Sequence, residues 1–158
     1  MVAKKSLLEE IGQQRPFRSD SQEAVLALMH TADLYRRYFT AVVGVQQLTL
    51  QQYNVLRILR GAGEEGLPTL TIGNRMVEKT PGITRLIDRL EAKELVERWR
   101  CPKDRRRVWC RISRSGLATL SQLDPAVNQA DDDSMTMLSV AEQRQLIEVL
   151  ERIRSGLG

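Results

Sequence analysis

The chain has 158 residues and a formal net charge of +4, with 42% hydrophobic and 28% charged residues. This length suits one domain with a buried core and is too short for two domains with separate tasks, one of them catalytic. No segment approaches the roughly 20 apolar residues that span a bilayer, and the N-terminal residues lack the apolar core of a signal peptide. One histidine and two cysteines are too few for a metal cluster or a disulfide framework. We therefore expect a reduced, cytoplasmic protein without a cofactor.

Apolar residues recur with helical spacing from residue 21 to about residue 44, which predicts a long first helix. Thr49 and Gln52 have the spacing of a capping box, so a second helix is expected to begin here and to end at the glycines of residues 61–63. A glycine-rich loop follows. Residues 69–77 predict a short third helix with Ile72 and Met76 on one face.

A fourth helix is expected to begin with Thr80 as N-cap and Pro81 at the first helical position. Its apolar stripe consists of Ile83, Leu86, Ile87 and Leu90. The side chains that point outward or lie on the flanks are Pro81, Gly82, Thr84, Arg85, Asp88 and Arg89. A helix that enters the major groove end-on reads bases from its N-terminal turns, which favours this face for DNA. The alternative is an ordinary surface helix in which Arg85, Asp88 and Arg89 pair with one another.

Residues 95–101 and 108–112 are rich in strand-forming side chains and predict a β-hairpin. Its tip carries Lys103, Arg105, Arg106 and Arg107 around Asp104. Crowded cations repel one another, and contact with phosphates or insertion of an arginine into a narrow minor groove would relieve that repulsion. A solvated turn is the alternative. Two helices follow, one capped by Ser113 and one opened by the capping box of Ser139 and Glu142.

Positive charge is concentrated in the fourth helix and the hairpin. Between Lys79 and Arg114 the chain has twelve cations and five anions, so this segment carries +7 and the remainder −3. An anionic partner is therefore expected to bind here.

Three segments resemble signatures of the MarR (multiple antibiotic resistance regulator) family of winged-helix repressors. They are LTLQQYNVLRIL, GITRLIDRLEAKELVERWRCPKDRRRV and RISRSG, in this order. The resemblance implies a mainly α (α+β) fold, a winged helix-turn-helix with a two-stranded β-hairpin wing and long terminal dimerisation helices. One domain would span residues 1–158, with dimerisation helices at about 21–45 and 115–158 and a DNA-binding lobe at about 48–114. Glu94 departs from the usual glycine, and Ser113 from the usual threonine.

By the same resemblance, Thr84 and Arg85 face the major groove, and Asp104, Arg105 and Arg106 form the wing tip, with Arg106 the candidate for the minor groove. The residues expected to contact DNA are Thr80, Pro81, Gly82, Thr84, Arg85, Arg89, Lys103, Asp104, Arg105, Arg106 and Arg107. The partners implied are a pseudo-palindromic double-stranded operator and a second copy of the chain.

The family often senses a small aromatic molecule between the dimerisation helices and the DNA-binding lobe. Candidates for such a ligand site here are His30, Arg36, Tyr38 and Tyr53. We therefore predict a sequence-specific DNA-binding regulator, a repressor released by an aromatic ligand, and not an enzyme. Two alternatives stay open: redox sensing through Cys101 and Cys110 in the wing, and a winged-helix module that binds another protein.

Overall fold

The computed structural model describes residues 5–79, 81–101, 104 and 106–158. It contains seven helices and three strands within these residues. In chain order they are α1 (Leu7–Glu10), α2 (Asp20–Gly44), α3 (Leu50–Ala62), a 3-10 turn (Gly63–Glu65), β1 (Leu67–Pro68), α4 (Thr69–Arg75), α5 (Ile83–Ala92), β2 (Val96–Arg100), β3 (Val108–Ile112), α6 (Arg114–Met135) and α7 (Val140–Leu157). This mostly helical chain with one small sheet confirms the predicted fold class. The chain divides after Ala41 into two compact units.

The first unit contains α1 and most of α2. Ser6 and Glu9 form a capping box that starts α1, a single turn of helix too short to be evident from apolar spacing. In α2 the ring of Phe39 stacks on Tyr35 and packs edge-on against Tyr38, with ring centroids 6.2 and 5.4 Å apart. None of the helices in the described part of the chain is long and apolar enough to cross a membrane.

In the second unit, Val42–Gly158, the predicted caps at Thr49, Ser113 and Ser139 are confirmed. The Thr49 hydroxyl accepts the N–H of Gln52, and the Gln52 side chain accepts the N–H of Thr49, both at 3.1 Å. Ser139 and Glu142 form the same reciprocal pair at the start of α7. Ser113 accepts the N–H of Gly116 at 3.0 Å, so serine performs the capping role of the usual threonine.

The core of the second unit is formed by the inner faces of α3, α4, α5, α6 and the sheet. Its largest fully buried side chains are Val43, Val55, Leu56, Leu59, Ile72, Ile87, Leu90, Cys110, Leu120 and Leu123. The apolar stripe predicted for α5 is confirmed, since Leu86, Ile87 and Leu90 are buried while Ile83 is half-buried. This packing leaves the opposite face of α5 to solvent.

The sheet is antiparallel with strand order β1-β3-β2, so the two-stranded wing predicted above gains a third strand. β1 pairs Leu67 with Cys110 and Pro68 with Trp109. It was missed because two residues, one of them proline, show no alternation that a sequence pattern could reveal. In the hairpin, Arg98 pairs with Cys110 and Trp99 with Trp109. Successive residues of each strand therefore point to opposite faces of the sheet.

The prediction that Thr80 caps α5 and that Pro81 is its first residue is wrong. The helix begins at Ile83 and its N-cap is Gly82, which has φ 93° and ψ 36°. The carbonyl of Gly82 accepts the N–H of Leu86 at 3.2 Å, the first bond of the helix. Glycine enters this left-handed conformation without steric penalty, and the chain therefore turns there instead of continuing helically from Pro81. Thr80 itself lies outside the described residues.

The turn from α5 into β2 keeps a left-handed residue although the family's glycine is replaced. Glu94 has φ 59°. Its N–H bonds to the carbonyl of Glu91 at 2.8 Å, and the N–H of Leu95 bonds to that of Leu90 at 3.0 Å. This pair of bonds is the Schellman arrangement that commonly ends helices. Glu94 therefore preserves the turn, at the expense of an unfavourable backbone conformation.

We expect Glu94→Gly to raise the free energy of unfolding by about 1 kcal/mol, because glycine removes the strain of a left-handed residue. Urea denaturation monitored by circular dichroism measures the change. Ala92→Gly, two residues earlier in regular helix, is the matched control and should lower stability by up to about 1 kcal/mol. Destabilisation by both substitutions would contradict the assignment of strain to Glu94.

Candidate nucleic-acid interface

The outward face of α5 is exposed along its first two turns. Pro81, Gly82, Thr84, Arg85, Asp88 and Arg89 all lie at the surface. Among the residues that the structure describes, neither Arg85 nor Arg89 has a carboxylate partner. The alternative in which Arg85, Asp88 and Arg89 pair with one another is therefore not what the structure contains. Two guanidinium groups remain available to an anionic partner.

Asp104 shapes the described part of the wing tip. Its Oδ1 accepts the N–H of Arg106 at 3.1 Å, and its backbone carbonyl accepts the N–H of Arg107 at 2.9 Å. An aspartate that accepts the amide two residues on is a common stabiliser of tight turns. The guanidinium of Arg107 lies 3.4 Å from Asp104 Oδ2, whereas Arg106 is exposed without a carboxylate partner among the described residues. Lys103 and Arg105, the other predicted tip residues, lie outside that set.

A groove of about 370 Å³ separates α4 and α5 from the wing. Its lining residues are Pro68, Thr69, Leu70, Ile83, Thr84, Arg98, Arg106, Arg107 and Val108. Thr84 and Arg106, predicted to contact DNA from different elements, therefore open onto the same side of the protein. The hydroxyl of Thr69 donates to the carbonyl of Val108 at 3.1 Å and ties the start of α4 to the wing.

Three acidic residues between Lys79 and Arg114 form ion pairs with arginines of the same segment. Asp88 and Glu91 of α5 both bind Arg98, and Glu97 binds Arg111 at 2.7 Å across the hairpin. Arg111 also lies over the ring of Trp99, 5.7 Å from its centroid. These pairs leave Arg85, Arg89, Arg100 and Arg106 exposed with no acidic partner in the described chain. Positive charge on these four arginines is therefore available at the surface.

Arg98 and Arg100 were counted in the charge of this segment but not predicted as site residues. Their positions two apart on β2 placed them on one face of the strand, which was the only available signal. That Arg98 meets the carboxylates of α5 depends on how the strand packs against the helix, which no local pattern reveals.

The two wing cysteines are not placed to form a disulfide with each other. Cys110 pairs with Arg98, and Cys101 is three residues further along that strand, which is roughly 10 Å at about 3.3 Å per residue. A disulfide needs Cα atoms within about 7 Å. Cys110 is fully buried, and this burial raises the pKa of its thiol to about 12. The geometry therefore argues against a redox switch that joins these residues.

The candidate ligand residues are divided between the two units. In the first unit, His30 lies 3.6 Å from Glu10, Arg36 pairs with Asp33 at 3.5 Å, and Tyr38 is exposed. In the second, Tyr53 is half-buried on α3, and this burial raises the pKa of its hydroxyl. Their role in binding a ligand stays a prediction.

A helix-turn-helix followed by a hairpin with cations at its tip defines a winged-helix protein of the class that regulates transcription. The profile described as "MarR family" matches residues 48–108. The chain is 30% identical over 154 residues to the transcriptional regulator TtmR of Methylorubrum extorquens, covering 98% of this chain and 76% of that protein. It is 31% identical over 138 residues to the repressor NicR of Pseudomonas putida, covering 85% and 84%. The chain belongs to the MarR family.

A solved structure supports the assignment. The MarR transcription factor of Planctomyces limnophilus superposes with a TM-score of 0.68 at 38% identity, covering 86% of this chain and 98% of that one. The prediction of a DNA-binding transcriptional regulator of this family is confirmed. The known relatives are regulators, not catalysts.

Proposed function

We propose that the chain binds an operator with α5 in the major groove and the tip of the wing in the adjacent minor groove. The observation that carries this proposal is the shared groove, which brings Thr84 of α5 and Arg106 of the wing to one side of the molecule. In this arrangement Arg85 pairs with a guanine edge, and Thr84 contacts a thymine methyl group or a phosphate. Arg106 enters the minor groove, where the negative potential is strongest when the groove is narrow.

The other predicted contacts hold the protein in register. Arg89 and Arg107 neutralise DNA phosphates, and Pro81 and Gly82 bring the N-terminus of α5 close to the sugar-phosphate backbone of the DNA. Thr80, Lys103 and Arg105 belong to the same proposed contact set. A structure with this fold, a cysteine-to-serine variant of MarR from E. coli, was solved with operator DNA. Its 23% identity and TM-score of 0.73 support the fold on which this proposal rests.

The proposed working form is a homodimer. No residue of α7 is buried in the single chain. Its exposed residues include five large apolar side chains, those of Leu146, Ile147, Val149, Ile153 and Leu157. An amphipathic helix with this much exposed apolar surface favours association with a partner. Two-fold symmetry would place two copies of α5 on half-sites about one helical turn apart, which matches a pseudo-palindromic operator.

We expect Ile147→Glu to disrupt the dimer, because a buried carboxylate without a partner opposes association strongly. Light scattering after size-exclusion chromatography should give about twice the 18.0 kDa chain mass for the wild type and a lower mass for the variant. Glu148→Gln, on the next residue, is the matched control and should remain dimeric. A wild-type protein with the mass of one chain at micromolar concentration would refute the proposed dimer.

We expect Arg85→Ala and Arg106→Ala to weaken DNA binding in different ways. Loss of a base-reading Arg85 should cost roughly 1–3 kcal/mol per half-site and relax preference at one base pair. Loss of Arg106 should weaken binding to most sequences and reduce the dependence of affinity on salt. The measurement is fluorescence anisotropy on a duplex selected by the wild type from random DNA, in a salt series.

Arg18→Ala removes the same charge outside both the proposed DNA contacts and the dimerisation helices, and should bind like the wild type. Equal, sequence-independent losses at Arg85 and Arg106 would show that the recognition helix is misassigned. If the wild type selects no duplex and instead retains a protein partner, the protein-interaction module replaces this proposal.

The proposed regulation is relief of repression by a small aromatic molecule. NicR, one of the relatives above, is named a repressor, and the repressor of a homoprotocatechuate degradative operon in E. coli is 24% identical over 126 residues. His30, Arg36, Tyr38 and Tyr53 are the residues proposed to bind the effector. A ligand that prefers a DNA-incompetent conformation shifts the population of dimers away from the operator. Because both cysteines are free thiols, we place the protein in the reducing cytoplasm. Because the relatives above are transcriptional regulators, we assign it no enzymatic activity.

Aromatic acids and phenols that raise the melting temperature should also weaken operator binding. A ligand that prefers the non-binding state 100-fold opposes DNA binding by roughly 2.7 kcal/mol, and linkage requires DNA to lower the affinity for the ligand by the same factor. Arg36→Ala should reduce the response to an acidic ligand while leaving operator affinity without ligand unchanged. Peroxide treatment of the wild type and Cys101→Ser runs in parallel. If no compound changes operator affinity while peroxide abolishes it only in the wild type, the thiol of Cys101 is the sensor instead.

A further inference from the structure

Arg98 of β2 connects the wing to α5 through three hydrogen bonds. Its Nε donates to Oε2 of Glu91 at 2.9 Å, and its Nη2 donates to the same oxygen. Its Nη1 donates to Oδ1 of Asp88 at 2.6 Å. The two acceptors lie three residues apart, on one face of the helix. One guanidinium therefore holds two carboxylates of the recognition helix.

The side chain of Arg98 is less exposed to solvent than the two carboxylates that it binds. The side chain of Arg98 is 23% exposed, against 49% for Asp88 and 41% for Glu91. Its hydrogen bonds to Glu91 and then Asp88 raise the pKa of Arg98 above the usual value for arginine. A planar guanidinium can serve two acceptors in fixed directions, whereas a lysine ammonium acts as a point charge. The bridge therefore specifies geometry as well as charge.

The location of this bridge links it to DNA binding. Arg98 lines the same groove as Thr84 of α5 and Arg106 of the wing, the two residues proposed to enter neighbouring grooves of DNA. Asp88 lies on the exposed face of α5, one turn after Thr84 and Arg85. A free carboxylate at that position would repel phosphates. The hydrogen bond from Arg98 holds this group toward the wing.

We propose that Arg98 is a positioning residue for DNA recognition, which holds the wing in one placement against α5 and masks Asp88 and Glu91 from phosphates. This inference rests on the DNA-binding function proposed above. Arg98 itself contacts the protein and need not contact DNA.

The chain offers a matched control on the same hairpin. Arg111 of β3 binds Glu97 of β2 through Nε at 2.8 Å and Nη2 at 2.7 Å. This pair joins the two strands of the wing to each other and does not involve α5. The same substitutions at Arg111 therefore disrupt a similar ion pair of the wing, with the same change of charge, without releasing the wing from the helix.

The test compares Arg98→Lys and Arg98→Met with Arg111→Lys and Arg111→Met, on the duplex selected by the wild type. Arg98→Lys should bind DNA about 10-fold more weakly, because lysine lacks the planar set of donors that serves two carboxylates. Its salt dependence should stay that of the wild type, because the charge is retained. Arg98→Met should bind more weakly still, since two carboxylates are then unpaired. Arg111→Lys should stay within about 2-fold of the wild type, because its pair does not orient the wing.

Wing mobility supplies a readout independent of DNA. Both tryptophans of the chain, Trp99 and Trp109, lie on the wing strands, so their fluorescence reports on this element alone. Time-resolved anisotropy of the free protein should show greater local motion in Arg98→Lys than in the wild type. Urea denaturation confirms that each variant is folded at the assay temperature, and Arg98→Lys keeps the test decisive if Arg98→Met unfolds.

Wild-type affinity and wild-type tryptophan anisotropy in Arg98→Lys would overturn the positioning role. Equal losses in the Arg98 and Arg111 variants would also overturn it, because only the net charge of the wing would then matter. If the wild type binds no duplex, the proposed function fails as a whole. Failure of this inference alone requires a wild type that binds DNA and an Arg98→Lys variant that binds it equally well.

Discussion

The backbone carbonyls of Glu94 and Leu95 form the junction on which the winged helix depends. The Glu94 carbonyl accepts the hydroxyls of Ser113 at 2.7 Å and Ser115 at 2.5 Å. The Leu95 carbonyl accepts the N–H of Ser113 at 3.1 Å. Gly116 packs so closely that a Cβ there would lie 2.2 Å from the Leu95 carbonyl oxygen. The end of α5, the start of the hairpin and the first turn of α6 are thus held at one point, by backbone groups that cannot rearrange independently.

This junction explains why a left-handed glutamate is tolerated where glycine would be less strained. The conformation of Glu94 aims its carbonyl at the two serine hydroxyls while its N–H completes the end of α5. Residues in sparsely populated conformations persist when surrounding contacts determine them several times over. The direction of α5 relative to the hairpin, and with it the placement of the face proposed to contact DNA, follows from this local geometry.

Electrostatics then divides the basic segment into two parts. Asp88, Glu91 and Glu97 are bound by Arg98 and Arg111, so three of the five anions hold the wing together and against α5. The cations left without acidic partners in the described chain include Arg85, Arg89 and Arg106, which are proposed to meet DNA. Such separation of internal pairs from outward charge concentrates positive potential where a polyanion approaches. The cysteines take no part in these pairs, and burial raises the pKa of the Cys110 thiol to about 12.

The sequence by itself determined the six longer helices, the caps at Thr49, Ser113 and Ser139, and the exposed face of α5, because these follow from spacing and from hydrogen bonds between residues three apart. It also determined that positive charge accumulates between Lys79 and Arg114. Only the tertiary structure decided that Gly82 caps α5 in place of Thr80, that β1 joins the sheet, and that Arg98 bridges to α5. Each of these depends on a backbone torsion or on a partner distant in sequence, and neither quantity is encoded in the spacing of apolar residues.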